Sequence, residues 1–320
     1  MSRNRYIIRR LLLIFPQLFL ISVLVFSIIR LVPGGPSLYA AEIESLAGVD
    51  MSWLREELDL DKPLPQQYLL WIGKMIRGEW GWSFTQGLPV REAIMRRLGP
   101  TLLLAGSALL VSTVFAILFG MVAARYRNTV IDNLLTLAAF FSISLPGFWL
   151  GIVTIYVFAA RLHWFPAGNM RTIGGSGGVL DVLRHLVLPV FVLATEYMAS
   201  LTRYMRSSMI DVLSQDYVRT ARAKGLKEKT VVLRHAARNA LLPVVTILGL
   251  RLPALVGGAL LIEVVFSWPG MGRMAAHAAV YRDYPITQSL VLMASFLVLG
   301  GNLLADVVYS LIDPRIRLGE

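Results

Sequence analysis

Six long apolar runs constrain this chain more than any other feature. They are Leu11–Leu31, Thr101–Ala124, Leu134–Ala160, Leu186–Thr202, Leu241–Phe266 and Ile286–Ile312. Crossing the hydrocarbon core in helix takes about 20 apolar residues. Five of the runs reach that length easily. The fourth in chain order, LVLPVFVLATEYMASLT, is shorter and carries Glu196. The expectation is an all-α polytopic membrane protein with about six transmembrane helices.

Composition supports this. Hydrophobic residues are 56% of the chain and charged residues 16%, against roughly 45–50% and about 25% in soluble domains. The mean hydropathy is +0.63. A soluble fold this apolar would lack the polar surface to cover itself. Cysteine is absent, which excludes a disulfide framework, a thiolate metal site and a cysteine nucleophile.

The net charge of +11 and the pI near 10.2 raise nucleic-acid binding, but the charges flank apolar runs and cluster in a few loops, as in a polytopic membrane protein. With the N-terminus inside, segments 1–10, 125–133, 203–240 and 313–320 are cytoplasmic and hold 17 Lys and Arg. The short outside loops 161–185 and 267–285 hold 5. That asymmetry places both termini in the cytoplasm. Segment 32–100, with 7 basic and 9 acidic residues, is too long to count.

The run at 11–31 is preceded by SRNRYIIRR, as a secretory signal would be. At about 20 residues, however, it exceeds the usual h-region of about 7–15 and ends in Val32-Pro33-Gly34-Gly35-Pro36 rather than a small-residue cleavage site. The outside segment 32–100 reads as short amphipathic helices, Trp53–Leu58 and Gln66–Ile76, joined by Pro and Gly turns. Trp71, Trp80 and Trp82 suit an interfacial belt. The rest, 101–312, is the membrane core, interrupted by the cytoplasmic loop 203–240.

Catalytic motifs are weak. Gly174-Gly175-Ser176-Gly177-Gly178 matches the nucleophile elbow G-x-S-x-G, but no strand precedes it, and a flexible loop is the better reading. His163, His185, His235 and His277 are scattered, and H-E-x-x-H is absent. There is no G-x-x-x-x-G-K-[ST], so any energy from ATP comes from another polypeptide. No catalytic residue and no metal ligand is expected. Glu196, Arg251, Glu263 and Asp306 are ionisable groups within apolar runs, costly in lipid and functional candidates for that reason. Arg251 lies roughly 15 Å into its run, counting from Leu241. It can form an ion pair with an acid such as Glu196 or one on a partner subunit, or it can line a wet path. Pro253 should open the helix nearby. An intramembrane enzyme is a second reading, but it would need a nucleophile or metal cluster converging on these groups.

The most informative stretch runs from Asp216-Tyr217-Val218-Arg219-Thr220-Ala221-Arg222-Ala223-Lys224-Gly225-Leu226 to Leu242-Pro243. Two basic amphipathic helices meet at Gly225, which can adopt φ > 0 and end the first. The second should stop at Pro243. Contact with anionic lipid is the simpler reading of so basic a loop. Its length, its glycine break and its paired helices fit protein docking better.

This loop resembles the "EAA" coupling loop of ABC importer permeases, in the form found in the first (B-type) membrane subunit of the dipeptide/oligopeptide/nickel family. Agreement extends to Arg30-Leu31-Val32-Pro33-Gly34-Gly35-Pro36, Leu58-Asp59-Leu60-Asp61-Lys62-Pro63, Gly78-Glu79-Trp80-Gly81-Trp82-Ser83 and Ser144-Leu145-Pro146-Gly147-Phe148-Trp149-Leu150-Gly151. It continues through Glu263-Val264-Val265-Phe266-Ser267-Trp268-Pro269-Gly270-Met271-Gly272, Arg282-Asp283-Tyr284-Pro285 and Asn302-Leu303-Leu304-Ala305-Asp306 to Asp313-Pro314-Arg315. Arg219 stands where the general pattern is acidic, and Gly35 and Glu79 stand where the family usually has Asp.

The resemblance implies a type I importer permease (MetI-like) fold in the bacterial cytoplasmic (inner) membrane. It implies a second, homologous C-type permease subunit, two ABC ATPase subunits and an extracytoplasmic solute-binding protein, with no nucleic acid. No cofactor would be bound by this chain, since ATP and Mg would sit on the ATPases. Asp216, Tyr217, Thr220, Ala221, Arg222, Ala223, Lys224, Gly225 and Leu226 would contact an ATPase. Glu196, Arg251, Glu263, Asn302 and Asp306 would be candidates for the translocation path. The implied cargo is peptides, with nickel complexes, glutathione-like molecules and oligosaccharides as alternatives. Segment 32–100 would help to receive the binding protein.

Overall fold

Hydrocarbon offers no partner to a backbone N–H or C=O, so a spanning segment has to close its own hydrogen bonds. Among the described residues the apolar runs do this as helices. The computed structural model describes residues 3–31, 35, 36, 44, 52–175, 177–251 and 260–312. In chain order the helices are α1 (Arg3–Leu31), α2 (Ser52–Glu57), α3 (Leu64–Arg77), α4 (Val90–Arg125), α5 (Val130–Ser144), α6 (Gly147–Thr154, continuing as a π-helix over Ile155–Arg161), α7 (Val179–Leu213) and α8 (Asp216–Ala223). Then come α9 (Glu228–Thr230, continuing as a π-helix over Val231–Ala236), α10 (Ala237–Arg251), α11 (Leu260–Val265), α12 (Met271–Val280) and α13 (Tyr284–Ile312).

By length and composition Arg9–Leu31, Val90–Arg125, Glu228–Gly249 and Tyr284–Leu303 can each cross a bilayer. The pair Val130–Ser144 and Gly147–Arg161, bent by 100°, makes up to five. Six were expected. The difference lies at Leu186–Thr202, inside the 35-residue α7. Many of its apolar side chains, including Leu188, Val192, Leu193 and Leu201, are buried by protein neighbours.

The chain divides into two compact units, residues 1–99 with 270–320, and residues 100–269. In the first, α1 packs on α13 and α3. Tyr68 of α3 meets Phe19 and Phe26 of α1 edge-on, and its hydroxyl lies 2.9 Å from Ser22 Oγ. Trp71 also packs on Phe26, at 5.6 Å between ring centroids. Trp80 donates its indole N–H to the Met75 carbonyl and packs against the cluster of Val90, Ile94, Met271 and Ile286. Only Trp82 of the expected belt is exposed, because the other two rings close this unit's core.

Asp283 is fully buried and fastens the turn before α4. Its carboxylate accepts from Ser83 Oγ (2.7 Å), Thr85 N (2.9 Å) and Thr85 Oγ1 (2.8 Å), and from Ile286 N, so it also caps α13. Asp59 is held by Lys62 (2.7 Å) and Lys74 (3.1 Å), which ties the α2–α3 turn to α3.

In the second unit, Leu104, Ala108, Leu186, Val192, Ile262, Phe266 and Trp268 form one core cluster. Ala116, Leu201, Met205, Met209, Ala236 and Val244 form another. The α4–α7 approach is close, since a Cβ on Gly120 would fall 2.6 Å from Met205 Cβ. Asp132, near the start of α5, takes a two-pronged ion pair from Arg206 of α7 at 2.6 and 2.7 Å.

Several boundaries depart from expectation at prolines. α4 starts at Val90 rather than Thr101 and runs through Pro100, whose carbonyl receives the Trp268 indole N–H at 2.9 Å. α10 runs through Pro243 rather than ending there. Both helices run on past their prolines, which have no N–H to return to the Arg96 and Asn239 carbonyls one turn earlier. By contrast, the run expected to be one span at 134–160 breaks at Leu145-Pro146. Leu145, extended at φ −91° and ψ 128°, precedes a proline that disfavours the helical region for it and brings no N–H. Pro253 lies outside the described residues.

Removing Arg206 strands a carboxylate that is 3% exposed. Arg206→Met should destabilise the purified permease by about 3 kcal/mol, and adding Asp132→Asn should recover most of that. Thermal unfolding in detergent checks this, and a double variant no better than the single would remove the ion pair as the cause. Acid provides a second test. Burial opposes ionisation of Asp59, but the hydrogen bonds and charges of Lys62 and Lys74 outweigh it and hold the carboxyl below its ordinary range. Its contribution is complete above the unfolded value of about 3.9 and is lost as pH falls through the depressed folded value. Amide exchange at Leu60 and Lys62 should accelerate only in that acid window.

Candidate functional site

The loop between α7 and α10 is built around one glycine. α8 is only eight residues long, DYVRTARA, with Asp216 in its first turn, where a negative charge suits the helix dipole. Val218 and Ala221 are its inner face, packed with Val231 and against Val212 and Leu213. Tyr217, Arg219, Thr220, Arg222, Ala223 and Lys224 are exposed, as are Gly225 and Leu226 beyond it. The chain then reverses at Gly225, φ +75°, with Gly225 N donating to the Arg222 carbonyl at 2.9 Å. Apart from its two chain neighbours, no atom of the described residues lies within 4 Å of where a Cβ on Gly225 would be, so the constraint there is torsional and not steric.

Three side chains outside the expected set brace this turn. Arg222 donates to both carboxylate oxygens of Glu228, at 3.2 and 3.0 Å. Glu228 lies 3.8 Å from Arg125, the last residue of α4. Asn239 of α10 donates to the Tyr217 hydroxyl at 2.8 Å. The loop is thus tied to α4 and α10 while its basic outer face stays open. Arg222 and Glu228 are six residues apart, which is no helical spacing, so only the turn at Gly225 brings them together.

The path candidates separate. Glu196 is exposed and lines a cavity of about 590 Å³ at the α5–α6 break, with Ser142, Ile143, Pro146, Gly147 and Tyr197 among its walls. Arg251 does not pair with Glu196. It donates to Ser200 Oγ at 2.6 Å, and its guanidinium lies 5.2 Å from the Tyr197 ring centroid. Glu263 is fully buried and accepts from Thr101 Oγ1 at 2.8 Å, so here it braces α4 against α11 and lines no surface. Asn302 is half-buried on α13. Asp306 belongs to the same helix, but its side chain lies outside the described residues.

Residues 116–318 match the family model for the binding-protein-dependent transport system inner membrane component, and residues 3–105 match the model for that family's N-terminal region. The chain belongs to the permease subunits of ABC importers. It is a multi-pass inner-membrane protein of that family. It is similar to the oligopeptide transport system permease protein AppB of Bacillus subtilis, 43% identical over 98% of this chain and 99% of that one. It is also similar to the glutathione transport system permease protein GsiC of Escherichia coli, 40% identical over 98% of each. Among solved structures, a chain of the inward-facing methionine transporter MetNI aligns with a TM-score of 0.50 at 15% identity, covering 67% of this chain and 95% of that one. That likeness supports the MetI-like permease fold.

The open space at Gly225 gives a specific expectation for this loop. Gly225→Asn should keep the turn, because Asn tolerates the left-handed region, whereas Gly225→Val should cost about 1–2 kcal/mol locally. Exchange of the Leu226 amide, which reaches back to the Ala221 carbonyl, should rise in the valine variant alone.

Proposed function

We propose that this permease subunit, paired with a second and similar one, forms the path of an ATP-driven peptide importer and takes its cargo from an extracytoplasmic binding protein. The observation that carries the reading is near-complete coverage at 43% identity by an oligopeptide permease. The glutathione permease at 40% identity supports short peptides of unusual linkage as a second cargo class.

ATP hydrolysis belongs to separate ATPase subunits, and the loop Asp216–Lys229 is the part of this chain that meets one of them. The loop's exposed basic face supports that role, as does its bracing. A displacement of α8 would reach α4 through Arg222, Glu228 and Arg125, and α10 through Tyr217 and Asn239. Closure of the ATPases on ATP would then select one of two helix packings, which is all that coupling requires. In this reading both termini, 125–133 and 203–240 face the cytoplasm, and 32–100 faces outward.

The test is reconstitution of this chain with its partner permease, ATPases and binding protein in liposomes. ATP-dependent uptake of labelled di- to pentapeptides is expected, and uptake of oligosaccharide or nickel complexes without peptide uptake would replace the cargo assignment. Glu228→Ala should leave insertion and basal ATPase activity intact while lowering transport. Undiminished uptake in that variant would remove Glu228 from the coupling route. A cysteine at position 60 should label only from outside, and labelling only from the cytoplasm would invert the orientation.

A further inference from the structure

Glu196 is an anomaly among the ionisable groups of this chain. It sits in the middle of α7, within the apolar stretch 186–202, yet it is exposed, and among the described residues no cation stands in ion-pair range. A carboxylate in such surroundings is costly unless something stabilises its charge. Part of that stabilisation comes from α6. A Cβ built on Gly147, the first residue of α6, would lie 3.9 Å from Glu196 Oε2, so the carboxylate is set against the positive end of a helix.

The other wall of the cavity has the opposite polarity. α5 ends at Ser144, and Pro146 has no N–H to return to the Ser142 carbonyl. Ser142 and Ile143, from the negative end of α5, line the same cavity as Glu196. The broken span therefore brings a helix carbonyl end and a carboxylate to one space, the combination by which discontinuous membrane helices hold cations. A lone carboxylate falls short of the oxygen-rich shell a hard divalent ion needs. A compact ammonium with three donors suits one carboxylate and backbone carbonyls. Leu145, Phe148, Leu193 and Leu260 supply apolar wall for a substituent beside it, and about 590 Å³ is the size of a small-ligand site.

We propose that Glu196 and the carbonyl end of α5 form a subsite for the terminal ammonium group of a peptide in transit. This rests on the peptide-import reading and adds which end of the cargo the membrane subunit recognises. Apolar walls leave the neighbouring side chain unspecified, so the subsite selects a free amino terminus and little else.

Photolabelling of the complete permease–ATPase complex, with the binding protein omitted so that its own selectivity does not enter, tests this. The probes are alanyl-p-benzoylphenylalanine and its des-amino analogue, propionyl-p-benzoylphenylalanine. The wild-type complex should label on the walls around residues 145–148 and 193 with the free-amine probe, and about tenfold less with the analogue. Glu196→Gln should reduce free-amine labelling to the level of the analogue, and Glu196→Asp should restore part of it. Equal labelling by both probes, or an unchanged Glu196→Gln, overturns the subsite. If Glu196→Gln instead fails to assemble with the partner permease and charge removal on the partner rescues it, Glu196 is an interface ion pair and the proposal falls. Uptake by the full system separates the two levels. Peptide uptake with no amine preference refutes the subsite alone, whereas no peptide uptake by wild type refutes the import reading and the subsite with it.

Discussion

Every backbone polar group within hydrocarbon has to find a protein partner, and the places where this chain leaves one unpaired along its own helix organise the molecule. Pro100 in α4 is one such place, since it has no N–H for the Arg96 carbonyl, and its own carbonyl takes the Trp268 indole N–H. Leu145-Pro146 is another, and there the helix breaks and turns by 100°. At the first the helix runs on, and the Trp268 contact joins two segments of one core. The second is left open beside a cavity with a carboxylate in it. The continuous helix serves as scaffold, and the broken one serves as cavity wall.

Charge follows the same division. Asp132 and Arg206 satisfy each other, and Glu263 is enclosed with Thr101, so these groups stiffen the second unit. Arg251 rests on Ser200 and Tyr197 of α7. Glu196, on the same helix, is the one among them turned to open space. The loop carrying α8 is arranged in the reverse sense. Its apolar side is closed by Val218, Ala221 and Val231, and its charged side is open wherever Glu228 does not claim it.

Much of this was legible beforehand because hydropathy and glycine placement are local properties. The runs at 11–31, 101–124 and 286–312 fall within α1, α4 and α13, and the turn at Gly225 has the positive φ its position implied. What escaped reading was decided by tertiary neighbours. Pro243 reads as a helix stop and α10 runs through it, whereas Leu145-Pro146 interrupts a run whose hydropathy never falters. The Ser-Leu-Pro-Gly order held the signal, since a residue before proline followed by glycine favours a break. Trp71 and Trp80 read as interfacial because composition cannot tell an anchor from a core ring. The Arg222–Glu228–Arg125 link spans a turn and a separate helix, beyond any spacing rule.

The close approach at Gly120 has a mechanical consequence. With Met205 Cβ only 2.6 Å from where a Cβ would stand, α4 and α7 are in backbone-to-side-chain contact with no clearance for a larger residue. Two rods pressed together so tightly cannot slide by a residue without first separating, and separation would open a void along a stretch that also holds Ala116 and Leu201. Any side chain beyond hydrogen at position 120 would have to part α4 from α7 or displace Met205, so one missing methyl sets the spacing of the two helices there.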